Sequence, residues 1–526
     1  MANSASFEIL YEDGHRLGKV NVNNFVENTP FILKNYSNYL QFGKITIQKP
    51  ISYLVYEDYQ NIKCDLTTVP LIHIPFDIPL KEATKLSSLN ISIINDNKGD
   101  CLPIYLTKYN ELNQQLLDAI PEKSIYFFKR IPNERILLDF FFKLKQKYPS
   151  SLFFIDAKNF EIPIFLFIGF DLFLNEENNE RFFNEYLSNP LPELVEMYSN
   201  GTVDSRRLLR ILYKEFYELF EIHLRREFKR SYYIDDISLE RPQVVRWRNE
   251  IEKYYSPATN IILLLPCSAK KPYRISKSHT KIISFLRELL KDKYANISQL
   301  ILTSPLAVVP RELEDYADYD IPVTGHWNQE ELDCLSRLLF SLIKKWDNPA
   351  IIAHFGENSP YLEALKKLPY EIYYTNGSLE ELKNILESNR SLWDKEPLNE
   401  YRTKAQKMFS FQFKKEFQLP FDYQERRKRT NLLFNKRNIG IFQNKIKVNV
   451  NGGELIKDSL WASIDFDLKG DIFSKGIINN SDNIRPGDDV IVLKNNKCIG
   501  VGEAIVSGEV MKKLNRGKVV KIRMRD

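Results

Sequence analysis

Glycine is scarce in this chain, 19 of 526 residues, as are cysteine, methionine and tryptophan at five each and histidine at six. With glycine this rare, no repeat of solenoid period and no low-complexity tract, the chain reads as globular throughout. The cysteines, Cys64, Cys101, Cys267, Cys334 and Cys498, lie far apart, with no CxxC pair and no Cys/His cluster at zinc spacing. That argues against a disulfide framework and a local zinc site, so no metal is expected. No apolar run reaches membrane-spanning length, and Met1 is not followed by a basic stretch and an apolar signal core. A soluble, cytoplasmic protein with no membrane partner is the expectation. The net charge of +5 is small for this length, so only a locally concentrated basic surface would argue for a polyanionic partner.

What is present exceeds one ordinary core, and about 100–200 residues per domain suggests three or four units. The first third alternates strand-like runs, Leu71–Ile74, Ser124–Phe128, Ser151–Ile155 and Ile162–Ile168, with helical stretches such as Arg135–Tyr148. This predicts an α/β layer structure. From Leu191 to Arg230 the apolar spacing turns helical, and Arg206–Arg230 carries many Arg and Lys, the pattern of a solvated amphipathic face.

A cleaner alternation starts at strand Ile261–Leu265. A polar loop, helix His279–Leu290, strand Gln299–Thr303, a loop over 304–316 and helix Glu330–Lys344 come next. Strand Ala350–His354, helix Tyr361–Leu368, strand Glu371–Tyr374 and helix Leu379–Leu386 complete the series. Regular β–α alternation predicts a parallel sheet, whose sites form beyond the carboxyl ends of its strands. A dense basic run, 425-ERRKRTNLLFNKR-437, follows in a mixed α/β pattern. Near the end, a Pro-Gly turn, an apolar strand, an Asn-Asn turn and a strand carrying Gly500 and Gly502 predict a small β-barrel.

The loop after Leu265 holds the candidate chemistry. Cys267 stands at a strand end before a helix that Ser276 or Ser278 can cap, with Lys270, Lys271 and His279 nearby to attract a thiolate. It reads as a nucleophile or, equally simply, as a small buried hydrophobe. His279 reads as an acid/base group or a plain helix-start residue. Pro272 can aim Lys271 and Tyr273 across the strand end. In 309-VPRELED-315, Arg311, Glu312, Glu314 and Asp315 suit either a clamp for an amino-acid ligand or the acidic start of a solvated helix. Lys512, Lys513, Arg516, Lys518, Lys521, Arg523 and Arg525 concentrate charge on the barrel edge, where phosphate contact is expected and glycine-containing strands permit close approach.

The stretch 266-PCSAKKPYRISKSH-279 resembles the signature of archaeosine synthases, through Pro266, Cys267, Lys271, Pro272, Tyr273, Ser276 and His279. Its flanks, 239-LERPQVVRWRNEI-251 and 303-TSPLAVVPRELEDYADYDIPVTGHW-327, look like the same family. The C-terminal segment resembles a PUA domain through 470-GDIFSKGI-477, Arg485-Pro486-Gly487-Asp488 and 500-GVGEAIVSGEVM-511. The N-terminus, 7-FEILYEDGHRLGKV-20, and 168-IGFDLF-173 look like strands of a tRNA-guanine transglycosylase barrel, without that enzyme's Asp-Ser-Gly-Gly-Phe-Gln type segment or its Cys-rich zinc site.

The resemblance implies an α/β multidomain chain of four parts. These are a degenerate transglycosylase-like barrel over 1–235, a central parallel-sheet catalytic domain over 236–388, a small α/β linker domain over 389–447 and a PUA β-barrel over 448–526. It implies an enzyme that joins the side-chain amine of L-lysine to the nitrile of 7-cyano-7-deazaguanine in the tRNA D-loop, with lysine as co-substrate and no cofactor. Cys267, Lys271, Tyr273, Ser276 and His279 would be catalytic. Cys267 would add to the nitrile, His279 or Tyr273 would protonate the developing nitrogen, and Ser268, Arg311, Glu312 and Glu314 would contact lysine. It admits a radical-SAM lyase and a second copy of the chain as protein partners. The competing readings are a glutamine- or ammonia-dependent amidotransferase on the same base, and a non-catalytic tRNA-binding partner of a transglycosylase.

Overall fold

Five consecutive apolar residues, Ile261–Leu265, can be buried on both faces only in the middle of a covered sheet, and in the computed structural model all five are fully buried there. The structure describes residues 6–23, 25–35, 39–50, 64–157, 161–174, 191–226, 231–233, 236–321, 327–417, 421–426, 429–443 and 445–526. Outside them lie 227–230 of the basic helical stretch, 322–326 of the downstream family motif and 427–428 of the basic run. Among the described residues no helix is long and apolar enough to cross a membrane.

The chain divides into two units. The first comprises 1–226 with 461–495 and 502–523, and the second 227–460 with 496–501 and 524–526. In the first, β1 (Ser6–Asp13), β2 (His15–Val22) and β3 (Phe25–Thr29) form an antiparallel sheet. A seven-stranded sheet follows, built from β4 (Phe31–Asn35), β5 (Tyr39–Phe42), β6 (Ile45–Gln48), β7 (Cys101–Ile104), β8 (Ile125–Lys129), β9 (Leu152–Asp156) and β10 (Leu172–Leu174). Its order is β6-β5-β4-β10-β9-β8-β7. Leu66 bridges Ile47 on one edge strand and Thr68 bridges Cys101 on the other, so this short segment lies against both edges of the sheet. Asp171, fully buried just before β10, accepts from Nε of the equally buried Arg16 at 3.0 Å and ties the first sheet to the second.

Two sequence expectations fail in this unit. Leu71–Ile74 forms no strand. Ile162–Ile168 is a helix, with every residue buried, Pro163 in its first turn and Gly169 at its C-cap with φ 110°. A wholly buried apolar run has no periodicity to distinguish strand from helix, and here the proline start and left-handed glycine stop decide it. Leu191–Ser199, Val203–Glu215 and Tyr217–Glu221 are helical as the spacing predicts.

In the second unit β11 (Ser231–Tyr232) pairs with β15 (Tyr319–Asp320). The central sheet contains β12 (Ile261–Pro266), β13 (Ser298–Thr303), β14 (Ala307–Pro310), β16 (Ala350–Ala353) and β17 (Ile372–Tyr374), in the order β14-β13-β12-β16-β17. All its pairings are parallel except that of β14. The stretch 304–316, expected as a loop, therefore contains an antiparallel edge strand and a short turn of helix, Arg311–Leu313. β13 lies on one side of β12 and β16 on the other, so the chain reverses its winding direction at β12. Crevices at such reversals are where ligands bind in open α/β sheets. A four-stranded antiparallel sheet, β18 (Asp422–Arg426), β19 (Arg429–Phe434), β20 (Arg437–Phe442) and β21 (Ile446–Val448), follows helix Glu400–Phe413.

The last strands are β22 (Trp461–Ser463), β23 (Ile472–Phe473), β24 (Asn479–Asn480), β25 (Asp489–Lys494), β26 (Lys497–Ala504) and β27 (Lys518–Arg525), in the order β23-β27-β26-β25-β22-β24. Asn495 and Asn496 both adopt left-handed φ, as a tight Asn-Asn hairpin requires. A side chain at Gly502 would stand 2.5 Å from the Lys521 carbonyl, so the close approach this glycine permits is to a neighbouring strand.

Candidate active site

β12, β13, β16 and β17 end side by side, which brings the residues that follow them, Cys267, Ser304, His354 and Thr375, to one edge of the sheet. Burying each large apolar side chain of β12 contributes roughly 1.5–3 kcal/mol, so the cysteine sits on a stiff support. Cys267 itself is half-buried. Its amide donates to the Tyr361 phenol oxygen at 3.4 Å, and that phenol donates to the Cys267 sulfur at 3.4 Å. Tyr361 opens a short helix, Tyr361–Leu365, beyond β16, across the crevice from the cysteine loop. Phe355 and Trp327 pack on its ring, with centroids at 5.2 and 5.1 Å. Burial first, and the adjacent cysteine second, hold the phenol's pKa well above its ordinary value.

His279 plays another part than the sequence suggests. Its Nε2–H donates to the Pro266 carbonyl at 2.9 Å, and its Nδ1 accepts from the Arg311 guanidinium at 2.8 Å. A carbonyl only accepts and a guanidinium only donates, so the tautomer is fixed and neither nitrogen is open to substrate. Burial, then the Arg311 charge, lowers the ring's pKa to about 4. Ser276, not Ser278, caps helix Lys277–Leu290, accepting from the His279 amide at 3.3 Å. Ser276 and His279 thus anchor the loop at both ends.

Tyr273 is fully buried, and its hydroxyl lies 2.6 Å from that of Tyr319 and 3.3 Å from Thr303 Oγ1. Its hydroxyl is thus held by the two neighbouring hydroxyls. Lys271 is half-buried with its ammonium 4.4 Å above the Tyr319 ring. Burial lowers its pKa, while Cys267 and Asp320 pull it back up. Its charge therefore interacts with that of Cys267. Ser268 turns its hydroxyl to the Lys270 carbonyl at 3.1 Å.

The residues of the expected lysine clamp are engaged with one another and with neighbouring side chains. Arg311 spends its donors on Gln299, Glu314 and His279 at 3.1, 3.1 and 2.8 Å. Glu314, buried, accepts from Arg311 and from the Arg274 amide and guanidinium. Asp315 pairs with Arg274 at 2.6 Å and Lys404 at 2.7 Å. Glu312 accepts from the Tyr255 hydroxyl at 3.1 Å, and burial raises its pKa. These charges brace the cysteine loop from behind. Each of these four side chains has at least one partner within the chain.

Two residues at this edge, Tyr361 and His354, were not singled out by sequence reasoning. His354 Nδ1 lies 2.7 Å from Thr375 Oγ1, and that hydroxyl donates to the Ala353 carbonyl at 3.4 Å. The hydroxyl therefore accepts from Nδ1–H, which leaves Nε2 as an unprotonated acceptor. Burial lowers the ring's pKa to about 4, keeping it neutral. Its place just after β16 at the carboxyl edge was the available signal. Among the described residues no group of three His, Cys, Asp or Glu side chains converges as metal ligands.

On the C-terminal barrel, Lys518 pairs with Asp471 at 3.3 Å and Arg523 with Asp489 at 2.5 Å, so these two are partly neutralised. Lys512, Lys513, Arg516 and Lys521 are exposed.

A cysteine loop at the switch point of a parallel sheet, on a chain ending in a small β-barrel, defines a modular α/β protein. Residues 463–524 match the model of the PUA domain, and 244–387 match a domain of unknown function. The chain is 31% identical to the archaeosine synthase subunit alpha of Thermococcus kodakarensis, over 87% of this chain and 90% of that one. It is 29% identical to the archaeosine synthase of Methanocaldococcus jannaschii, over 77% and 74%. A solved protein of unknown function superposes with a TM-score of 0.41 at 26% identity, over 53% of this chain and 98% of that one. The chain belongs to the archaeosine synthase family.

Proposed function

We propose that this protein works in archaeosine biosynthesis in the cytoplasm. It would join the side-chain amine of L-lysine to the nitrile carbon of 7-cyano-7-deazaguanine in the D-loop of tRNA, without a cofactor. Family membership supports the pathway, and the contact between the Cys267 sulfur and the Tyr361 phenol carries the chemistry.

In this scheme the Cys267 sulfur bonds to the nitrile carbon. One C–N π bond opens, and the nitrogen takes a proton from Tyr361, the donor already aimed at the sulfur's surroundings, giving a thioimidate. Lys271 offers counter-charge to the thiolate. The thiol proton passes to water. Lysine's neutral amine then attacks the same carbon, the C–S bond breaks, and the proton lost by the amine restores the catalytic groups. Amine and nitrile together make an amidine, with nothing released. Splitting one hard addition into two easier ones is the gain from covalent catalysis. The N-terminal domain would serve as a degenerate transglycosylase-like barrel scaffold, and a radical-SAM lyase would act on the lysine adduct.

The test is the mass of nucleosides from tRNA bearing the nitrile base after incubation with L-lysine, glutamine or ammonia in turn. Addition of a whole lysine is expected, with glutamine and ammonia inert. Tyr361→Phe should lower turnover by about 10²–10⁴-fold, the usual worth of a positioned acid. Full activity in Cys267→Ala would sink the covalent scheme, and a glutamine-derived product would replace lysine as donor.

A further inference from the structure

We infer that a second, sequence-independent contact with the tRNA backbone lies in an arginine-lined cleft on the first unit, far along the chain from the PUA domain. The inference rests on the tRNA reading above. The cleft, about 580 Å³, opens between helix Glu134–Lys147 and helix Val203–Glu215. Arg135, Arg206, Arg207, Arg210 and Lys214 line it, with Glu215 as the single carboxylate among its lining residues.

The arrangement differs from a merely solvated helix face in three ways. Arg206, Arg210 and Lys214 follow one another at four-residue spacing, so like charges are stacked along one ridge, which costs the helix stability. A solvated face would gain by alternating signs there. Next, the ion pairs at the cleft leave Arg210 out, while Arg206 donates to Ser199 Oγ at 3.3 Å. Glu215 takes Arg135 at 2.6 Å, while Glu134 and Asp204 take Arg207 at 2.9 and 3.0 Å. Arg210 is exposed and has no partner among the described residues. Finally, the three ridge residues climb about 6 Å per step, so the ridge runs for about 12 Å. That is longer than one small anion needs and suits successive phosphates of a nucleic-acid strand. Guanidinium forks match phosphate oxygens bidentately, and such contacts position RNA without reading bases.

The experiment is binding of an unmodified tRNA transcript to the full chain across about 50–200 mM salt, for wild type, Arg210→Ala, Arg210→Glu and Arg206→Ala/Arg210→Ala. Each lost phosphate contact should reduce the slope of log affinity against log salt by about 0.7–0.9. Affinity at moderate salt should fall about three- to tenfold for Arg210→Ala, and further for the reversal. An unchanged slope in a variant that melts with the wild type overturns the inference. Should the alanine variant melt early, Arg210→Gln takes its place. Inorganic phosphate that raises the wild-type melting temperature but not that of Arg210→Ala, with tRNA affinity equal in both, would mark a small-anion site and also overturn it. The readout needs no turnover. Loss of slope without any nucleoside product would keep this site and remove the chemical proposal, and the reverse result would do the opposite.

Discussion

His279 shows what a single buried residue does for this site. With Nε2–H on Pro266 and Nδ1 under Arg311, the ring holds the backbone just before Cys267 in place while staying neutral. His354 is neutral for the simpler reason of burial, and both rings titrate near about 4, against roughly 6.5 for a free histidine. Below about pH 6.5 the unfolded chain takes up protons that these folded rings refuse. Their contribution is therefore full above that pH and is lost as pH falls toward 4, by up to roughly 3 kcal/mol per ring. The urea midpoint should fall over this window, and His279→Gln should flatten the decline. Parallel pH curves for wild type and variant would show that the ring is not held neutral. At this scale the motif residues themselves were legible, because Cys267, Ser276 and His279 lie within one loop and helix turn. Their roles were not. Tyr361 and Arg311 reach the site from 94 and 32 residues away, across strands whose order spacing does not reveal.

Among the elements, the central alternation could be read closely because each strand and helix there has its own period and its own turn. Two of the failures share one cause. Ile162–Ile168 is buried on every side and Ala307–Pro310 is short, so neither shows a period, and tertiary burial chose helix for one and edge strand for the other. Gly169 ends the first of these in a conformation that side chains avoid, and a Cβ there would lie 2.4 Å from the Lys145 ammonium. Gly169→Ala should therefore cost about 2 kcal/mol in urea unfolding, chiefly from backbone strain. A change within experimental error would mean that the helix end relaxes freely.

Within the first unit of the molecule, the Arg-Pro-Gly-Asp turn that suggested a PUA domain also fastens it. Arg485 pairs with Glu221 at 2.9 Å, and Asp488 with Arg226 at 2.8 Å, all four largely buried. Removing one partner strands the other without compensation. Asp488→Ala should split the unit's melting into two calorimetric transitions, the earlier one belonging to the C-terminal barrel. A single unshifted transition would show that apolar packing alone holds the barrel.

By itself the sequence determined the α/β character of the chain, the strand-end position of Cys267 and the family, since these depend on local periodicity and on residues close together in the chain. Only the tertiary structure decided which polar groups face the sulfur and which are spent as bracing. Hydrogen bonds between distant segments, formed once β12 lies between β13 and β16, set the Tyr361 phenol against the sulfur and joined Arg311 to His279.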